Sequence, residues 1–294
     1  VEFNHNFNPA YGDAVRVNNQ VRRVVAKNPG PFTGPGTGTY IVGNGEVAVI
    51  DPGPMMPDHV ANILAATEGE CISHIIVTHT HSDHSPASRL LKAETGAPVF
   101  AFGPHSEYHA GKLEGGVDRD FTPDFLLLDG ETVDGENWQL EAIHTPGHCA
   151  NHLCFALDDG ETLFCGDQLM AWSTTVILPP DGSVHDYLVS LERLASRGES
   201  TFLPTHGRPI TNPVEYINQT MRHRMERVDQ ILESIRQGND NPARIRQHVY
   251  QEISPALYAG AELSIMASVE YLETRGDISV THQYNSTAPI FLLR

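Results

Sequence analysis

HIIVTHTHSDH, residues 74–84, is the stretch on which the reading of this chain turns. The apolar run from His74 to Thr78 reads as a strand, and it delivers His79, His81, Asp83 and His84 into a single turn. On a strand-to-helix loop the backbone can point such side chains to one side, and neutral imidazole with carboxylate is the ligand set that suits zinc or another divalent transition metal. A polar, histidine-rich surface loop would have the same local composition. The decision therefore rests on the rest of the chain.

Three later segments each place one further ligand type directly after an apolar run and inside a Gly or Pro turn: Thr145-Pro146-Gly147-His148, Cys165-Gly166-Asp167 and Pro204-Thr205-His206-Gly207. Strand ends that feed rigid turns hold side chains to the tolerance a metal needs, and glycine lets backbone come close to the site. Seven ligands exceed one tetrahedral zinc shell and suit two ions that share a carboxylate. The assignment is His79, His81 and His148 for one ion and Asp83, His84 and His206 for the other, with Asp167 between them. Asp83 and Asp167 are then the carboxylates of the catalytic centre. Two bound zinc ions per chain, with iron or manganese as alternatives, would lower the pKa of a bridging water from about 15.7 to about 7 and supply hydroxide for attack on an ester, thioester, lactone, amide or phosphodiester.

His74, His144, His185 and His223 stand in no matching turn and are left out of the ligand set. Cys149 and Cys165 adjoin proposed ligands, but neighbouring side chains on an extended chain point oppositely, so both read as packed thiols. With Cys71 and Cys154 they form no CxxC pair, and four cysteines in 294 residues are too sparse for a disulfide framework.

Around the ligand turns, β-branched runs bounded by Gly, Pro and Asn read as strands at Val21 to Ala26, Tyr40 to Val42, Val47 to Ile50 and Ile75 to Thr78. Further strands are expected at Phe125 to Leu128, Trp138 to Ile143, Leu153 to Ala156, Thr162 to Phe164 and Phe202 to Pro204, with helices at Asp58 to Glu68, Ser85 to Thr95 and Asp186 to Ser196. Such mixing suggests helices over packed sheets. The turn-rich Gly207 to Pro213 marks a boundary near residue 212, giving a catalytic domain over 1–212 and a smaller domain over 213–294. Beyond it Ile217, Met221, Val228, Leu232 and Ile235 recur at helical spacing. Helices at Pro242 to Glu252 and Ala261 to Arg275 follow, the latter closed by Gly276, then a hairpin of Ile278 to His282 and Pro289 to Leu293 around Asn285-Ser286-Thr287. Three helices and a hairpin outline a winged helix.

His79 to His84 with His148, Asp167 and His206 resembles the HxHxDH pattern of the metallo-β-lactamase superfamily. That resemblance implies an αββα sandwich with the metals at one edge of two sheets, and it carries the seven ligands over residue by residue. Gly38-Thr39-Tyr40-Ile41-Val42, Ile50-Asp51-Pro52-Gly53 and Thr174-Thr175-Val176 resemble more closely the β-lactamase-like group that includes an animal mitochondrial endoribonuclease. Zinc β-lactamases of the best-known class place a cysteine where this chain has Asp167, which disfavours lactam cleavage as its main reaction.

Charge argues against the endoribonuclease alternative. The net charge is -18, and residues from 213 on hold eight basic against ten acidic side chains, so a polyanion meets repulsion. The third helix of the C-terminal part, where a recognition helix would lie, carries Arg275 beside Glu262, Glu270 and Glu273. The expected partners are a small-molecule or single-stranded RNA substrate and a second copy in a homodimer, with neither double-stranded DNA nor membrane. Arg208, beside His206, is the cation best placed for an anionic substrate group, with a structural ion pair as its other use. The segment Val1 to His5 has no basic or apolar leader character, from which a cytoplasmic protein is expected. An iron-binding redox module and a noncatalytic protein that keeps the fold remain as other readings.

Overall fold

The computed structural model describes residue 3 and residues 6–105, 116–282 and 289–294; the expected Asn285-Ser286-Thr287 turn lies outside them. The elements run β1 (Val15–Arg16), β2 (Val21–Val25), β3 (Gly38–Asn44), β4 (Glu46–Ile50), α1 (Pro57–Ala66), β5 (Cys71–Ile76), α2 (Ser88–Thr95), β6 (Val99–Ala101) and β7 (Phe125–Leu126). A second series follows: β8 (Thr132–Asp134), β9 (Gln139–His144), β10 (Leu153–Leu157), β11 (Thr162–Gly166), α3 (Val184–Ala195) and β12 (Thr201–Pro204). The chain then continues through α4 (Pro213–Arg236), α5 (Pro242–Val249), a 3-10 turn (Pro255–Leu257), α6 (Tyr258–Arg275), β13 (Ile278–His282) and β14 (Pro289–Leu293).

A seven-stranded sheet in the order β1 to β7 faces a five-stranded sheet in the order β12-β11-β10-β9-β8. Strand alternation sorts the apolar residues between layers. Ala48 and Ile50 of β4, with Tyr40 and Val42 of β3, point inward and meet Leu153, Phe155 and Leu157 of β10 in the core between the sheets. Val47 and Val49 point the other way, onto Val60 and Ile63 of α1 and Leu91 of α2. Cys154 and Ala156 of β10 likewise face α3 at Leu191 and Leu194. Both faces of the central strands are buried, which is why these strands read as unbroken apolar runs. The layers are helix, sheet, sheet, helix: the expected αββα sandwich.

The outer face of the second sheet continues into the C-terminal part, where Ile217, Val228 and Ile231 of α4, Ile265, Val269 and Leu272 of α6 and Phe291 of β14 share one cluster with Leu163, Phe202 and Leu194. Gly276 ends α6 in the left-handed conformation at φ 84°, as a C-cap glycine does.

Some boundaries differ from expectation. β5 stops at Ile76, two residues before Thr78, and α2 begins at Ser88 rather than Ser85 because residues 81–87 form the ligand turn. α5 ends at Val249, short of Glu252. The sequence does not announce β1, β6 or β8; with two or three residues each they are too short to show a period. Among the described residues, no helix is long and apolar enough to cross a membrane.

Candidate metal centre

β4 and β5 are parallel, as are β11 and β12, so their C-terminal ends open at one edge of the sandwich. Backbone bonds stitch the two sheets together beneath that edge, with Leu153 N–H donating to Thr78 O at 2.8 Å and Gly38 N–H to Thr205 O at 2.8 Å. The loops leaving β5, β9, β11 and β12 carry all seven residues of the proposed ligand set.

His79 Nε2 and His148 Nε2 each lie 2.9 Å from His81 Nδ1, so three ring nitrogens converge on one point. The far side of two rings is fixed. His79 Nδ1–H donates to Thr78 Oγ1 at 2.9 Å, and His148 Nδ1–H to the carbonyl of Val176 at 2.6 Å, which leaves the inward nitrogens as lone pairs. Burial, reinforced by the neighbouring imidazoles, lowers all three pKa values, that of His81 to about 3. Neutral rings are what a divalent ion requires.

Beside this triad, Asp83 Oδ2 lies 3.2 Å from His206 Nε2 and 3.5 Å from His84 Nε2. Asp167 stands between the groups, with Oδ1 3.4 Å from His206 Nε2 and Oδ2 3.5 Å from His84 Nε2 and 3.7 Å from His148 Nε2. Burial opposes charge on these rings, but Asp167 and Asp83 prevail and raise the pKa of His206 to about 10 and that of His84 well above its ordinary value. Burial presses the two carboxylates upward, yet His206 and His84 hold both below the usual carboxylate range.

The donor set fits divalent metal. His84 Nε2, His206 Nε2 and Asp167 Oδ1 are buried without a hydrogen-bond partner, and an unpaired buried polar atom costs about 1–3 kcal/mol. His79, His81 and His148 form one group able to hold an ion, Asp83, His84 and His206 another, and His79, His84 and Asp167 a third that overlaps both. The Asp83 side chain is 22% exposed while His84 is fully buried, so the centre is open to solvent on the Asp83 side.

Several supporting residues have no counterpart in the sequence reading of the site. Asp51, at φ 50° just past β4, accepts from Thr78 N–H and Thr78 Oγ1, and its Oδ2 lies 2.8 Å from His84 Nδ1. His152 Nε2 accepts the backbone N–H of Asp167 at 3.1 Å. His206 Nδ1–H donates to the carbonyl of Gly36 at 3.1 Å. Asp51 shares the strand-end, Pro-Gly signature of the ligands and could have been found by it; nothing local marks His152.

The excluded histidines are elsewhere engaged or exposed. His144 stacks on Phe102 at 4.3 Å, His74 packs between Phe100 and Trp138, His223 meets Phe3, and His185 is exposed. No disulfide joins the four cysteines, and burial raises the pKa of Cys154 and Cys165. Arg208 is exposed, and among the described residues it forms no ion pair. A groove of about 370 Å³ is lined by Phe102, Pro104, Leu126, Ala150, Asn151 and Asp181, and Asn151 Nδ2 ties it to the ligand turn by donating to Thr80 Oγ1.

Comparison with known proteins agrees with this architecture. An "Atrochrysone carboxyl ACP thioesterase" of Aspergillus chevalieri is 29% identical over 85% of this chain and 77% of its own length. A "Beta-lactamase-like protein 2 homolog" of Drosophila melanogaster is 29% identical over 90% of this chain and 92% of its own. The crystal structure of a metallo-beta-lactamase family protein from Thermus thermophilus superposes with a TM-score of 0.77 at 20% identity, covering 95% of this chain and all (100%) of that one. Residues 32–206, from the loop before β3 to the last of the seven converging side chains, match the Metallo-beta-lactamase superfamily, and the chain belongs to that superfamily as an enzyme of hydrolase type.

Proposed function

We propose that the chain is a binuclear metal-dependent hydrolase, with zinc as the ion, acting on a small ester, thioester or lactone. The observation that carries the reading is the pair of converging ligand groups joined by Asp167. Two ions held there would supply Lewis acidity and an acidified water as nucleophile. The protein's own part is to keep His79, His81 and His148 neutral, to orient His79 through Thr78 and His148 through Val176, and to gather the charge of Asp83 and Asp167 beside them.

The choice of bond is supported from two sides. The groove beside the ligand turn has apolar walls at Phe102, Pro104 and Leu126, suited to an acyl group, and a net charge of -18 disfavours an extended polyanion. The name of the Aspergillus relative, which calls it a thioesterase, favours a thioester among these bonds. Arg208 is assigned to an anionic part of the substrate, and residues 213–294 to a winged-helix-like packing unit.

Elemental analysis of freshly purified protein, run beside assays on thioester, lactone, phosphodiester and single-stranded RNA substrates, tests the reading. About two zinc ions per chain with chelator-sensitive cleavage of a thioester, ester or lactone is the expected result. Cleavage of RNA alone would replace it with the endoribonuclease, and iron without hydrolysis with the redox module.

A further inference from the structure

Arg224 is a cation almost wholly withdrawn from water, 6% exposed, in the middle of α4. Among the described residues it has no carboxylate partner, and its Nε is buried without a hydrogen bond. A buried guanidinium left so poorly compensated is expensive and could be replaced by an apolar side chain with no loss of packing. What it does touch is specific. Nη2 donates to the carbonyl of Thr175, and the guanidinium lies over the Tyr187 ring at 5.5 Å.

The segment it holds leads to both ligand groups. Thr175 Oγ1 donates to the carbonyl of Asp167 at 2.9 Å, and the next carbonyl, that of Val176, accepts from His148 Nδ1. Tyr187 OH donates to the carbonyl of Gln168 at 2.9 Å. A second residue of α4 grips the same segment, Tyr216 OH donating to the carbonyl of Met170 at 2.6 Å. α4 is thus hydrogen-bonded at two points to the stretch that begins at Asp167 and ends on the partner of His148.

We propose that Arg224 is a positioning residue for the metal centre: by fixing Thr175 from α4 it sets the orientation of His148 and the placement of Asp167. The inference rests on the metal-centre reading above. It makes residues beyond 213 part of the site's scaffold, although none of them supplies a ligand. Fixing Thr175, whose neighbour Val176 supplies the carbonyl that orients His148, narrows the directions that the inward nitrogen of His148 can take, and this is how outer partners hold metal affinity.

The test uses the full chain, stripped of metal and reloaded with cobalt(II) or with zinc, in four forms: unaltered, Arg224→Met, Arg224→Lys and Val228→Ala. Val228 is fully buried on the same helix, so its truncation reports loss of packing alone. Expected for Arg224→Met are a shifted cobalt absorption band and zinc loss to a chelator about ten-fold faster, the lower end of what outer partners carry. Its thermal midpoint without metal should be unchanged or higher, because a buried charge has gone. Arg224→Lys, which keeps charge and a donor, should fall between and serves if the Met variant does not fold. Val228→Ala should lower the midpoint and leave the cobalt band in place.

The inference is overturned if Arg224→Met keeps the band and the zinc retention of the unaltered chain, or if Val228→Ala perturbs both as much. An unaltered chain that takes up neither ion overturns the metal-centre reading and this inference with it. Normal loading with no effect at Arg224 overturns only the latter.

Discussion

At the scale of single residues, the site is a chain of dependencies that runs from ligand to outer partner to core. Asp51 accepts Thr78 N–H, Thr78 Oγ1 and Thr205 Oγ1 and orients His84. Asp51→Asn keeps the shape and presents an amide N–H₂ to groups that already donate. Metal affinity, read by competition with a chelator, should fall about 10–100-fold. His59 lies one step further out; its Nε2–H donates to Thr39 Oγ1 at 2.8 Å, and Thr39 Oγ1 donates to the carbonyl of Asp51 at 2.6 Å. Burial lowers the His59 pKa to about 4 from 6.5. The folded value is the lower one, so the stability that neutral His59 confers is complete above about pH 6.5 and is lost as pH falls toward 4, by on the order of 3 kcal/mol. Denaturant unfolding of metal-free protein between about pH 4 and pH 8 should show a shallower decline for His59→Gln than for the unaltered chain, and parallel curves would count against the assignment. The seven proposed ligands, which the fold brings together, are legible in the sequence because each stands in a strand-end turn of Gly, Pro or clustered polar residues. His59, His152 and Arg224 are not, because each acts on a backbone group or hydroxyl that only tertiary pairing brings near.

At the scale of elements, long segments are legible and short ones are not, for one physical reason: a period needs several residues to declare itself. The stripe Ile217, Met221, Val228, Leu232 and Ile235 predicts α4 as a packing helix, and the helix spans Pro213–Arg236 with all of them buried except Met221, which is half-buried against the same cluster. The same stripe is silent about Arg224, Thr220 and Ser234, polar residues that the helix also buries. Ile231 of α4 is fully buried within the cluster shared with the second sheet. Ile231→Ala should cost about 2–5 kcal/mol of stability in chemical denaturation. A cost under about 1 kcal/mol would mean that α4 packs loosely on the sheet.

At the scale of the whole molecule, charge and layering divide the work. Acidic side chains outnumber basic ones, and the net charge of -18 sets a long-range field that resists nucleic acid. Single-stranded RNA should bind more weakly than about 10⁻⁴ M at physiological salt in a fluorescence anisotropy titration; tighter, salt-sensitive binding would reopen the endoribonuclease reading. The apolar layers beneath have no part in the chemistry, and the chemistry sits where strands end. The proposed ligands are also shared between the layers: His79, His81, Asp83 and His84 hang from the first sheet, and His148, Asp167 and His206 from the second. The amides of Leu153 and Gly38 bridge the sheets directly below. A hinge opened along that line would carry the two sets of side chains apart together, so any breathing of the sandwich is also a change in the spacing of the centre. Hydrogen exchange at those two amides would record it as a clock records its own escapement.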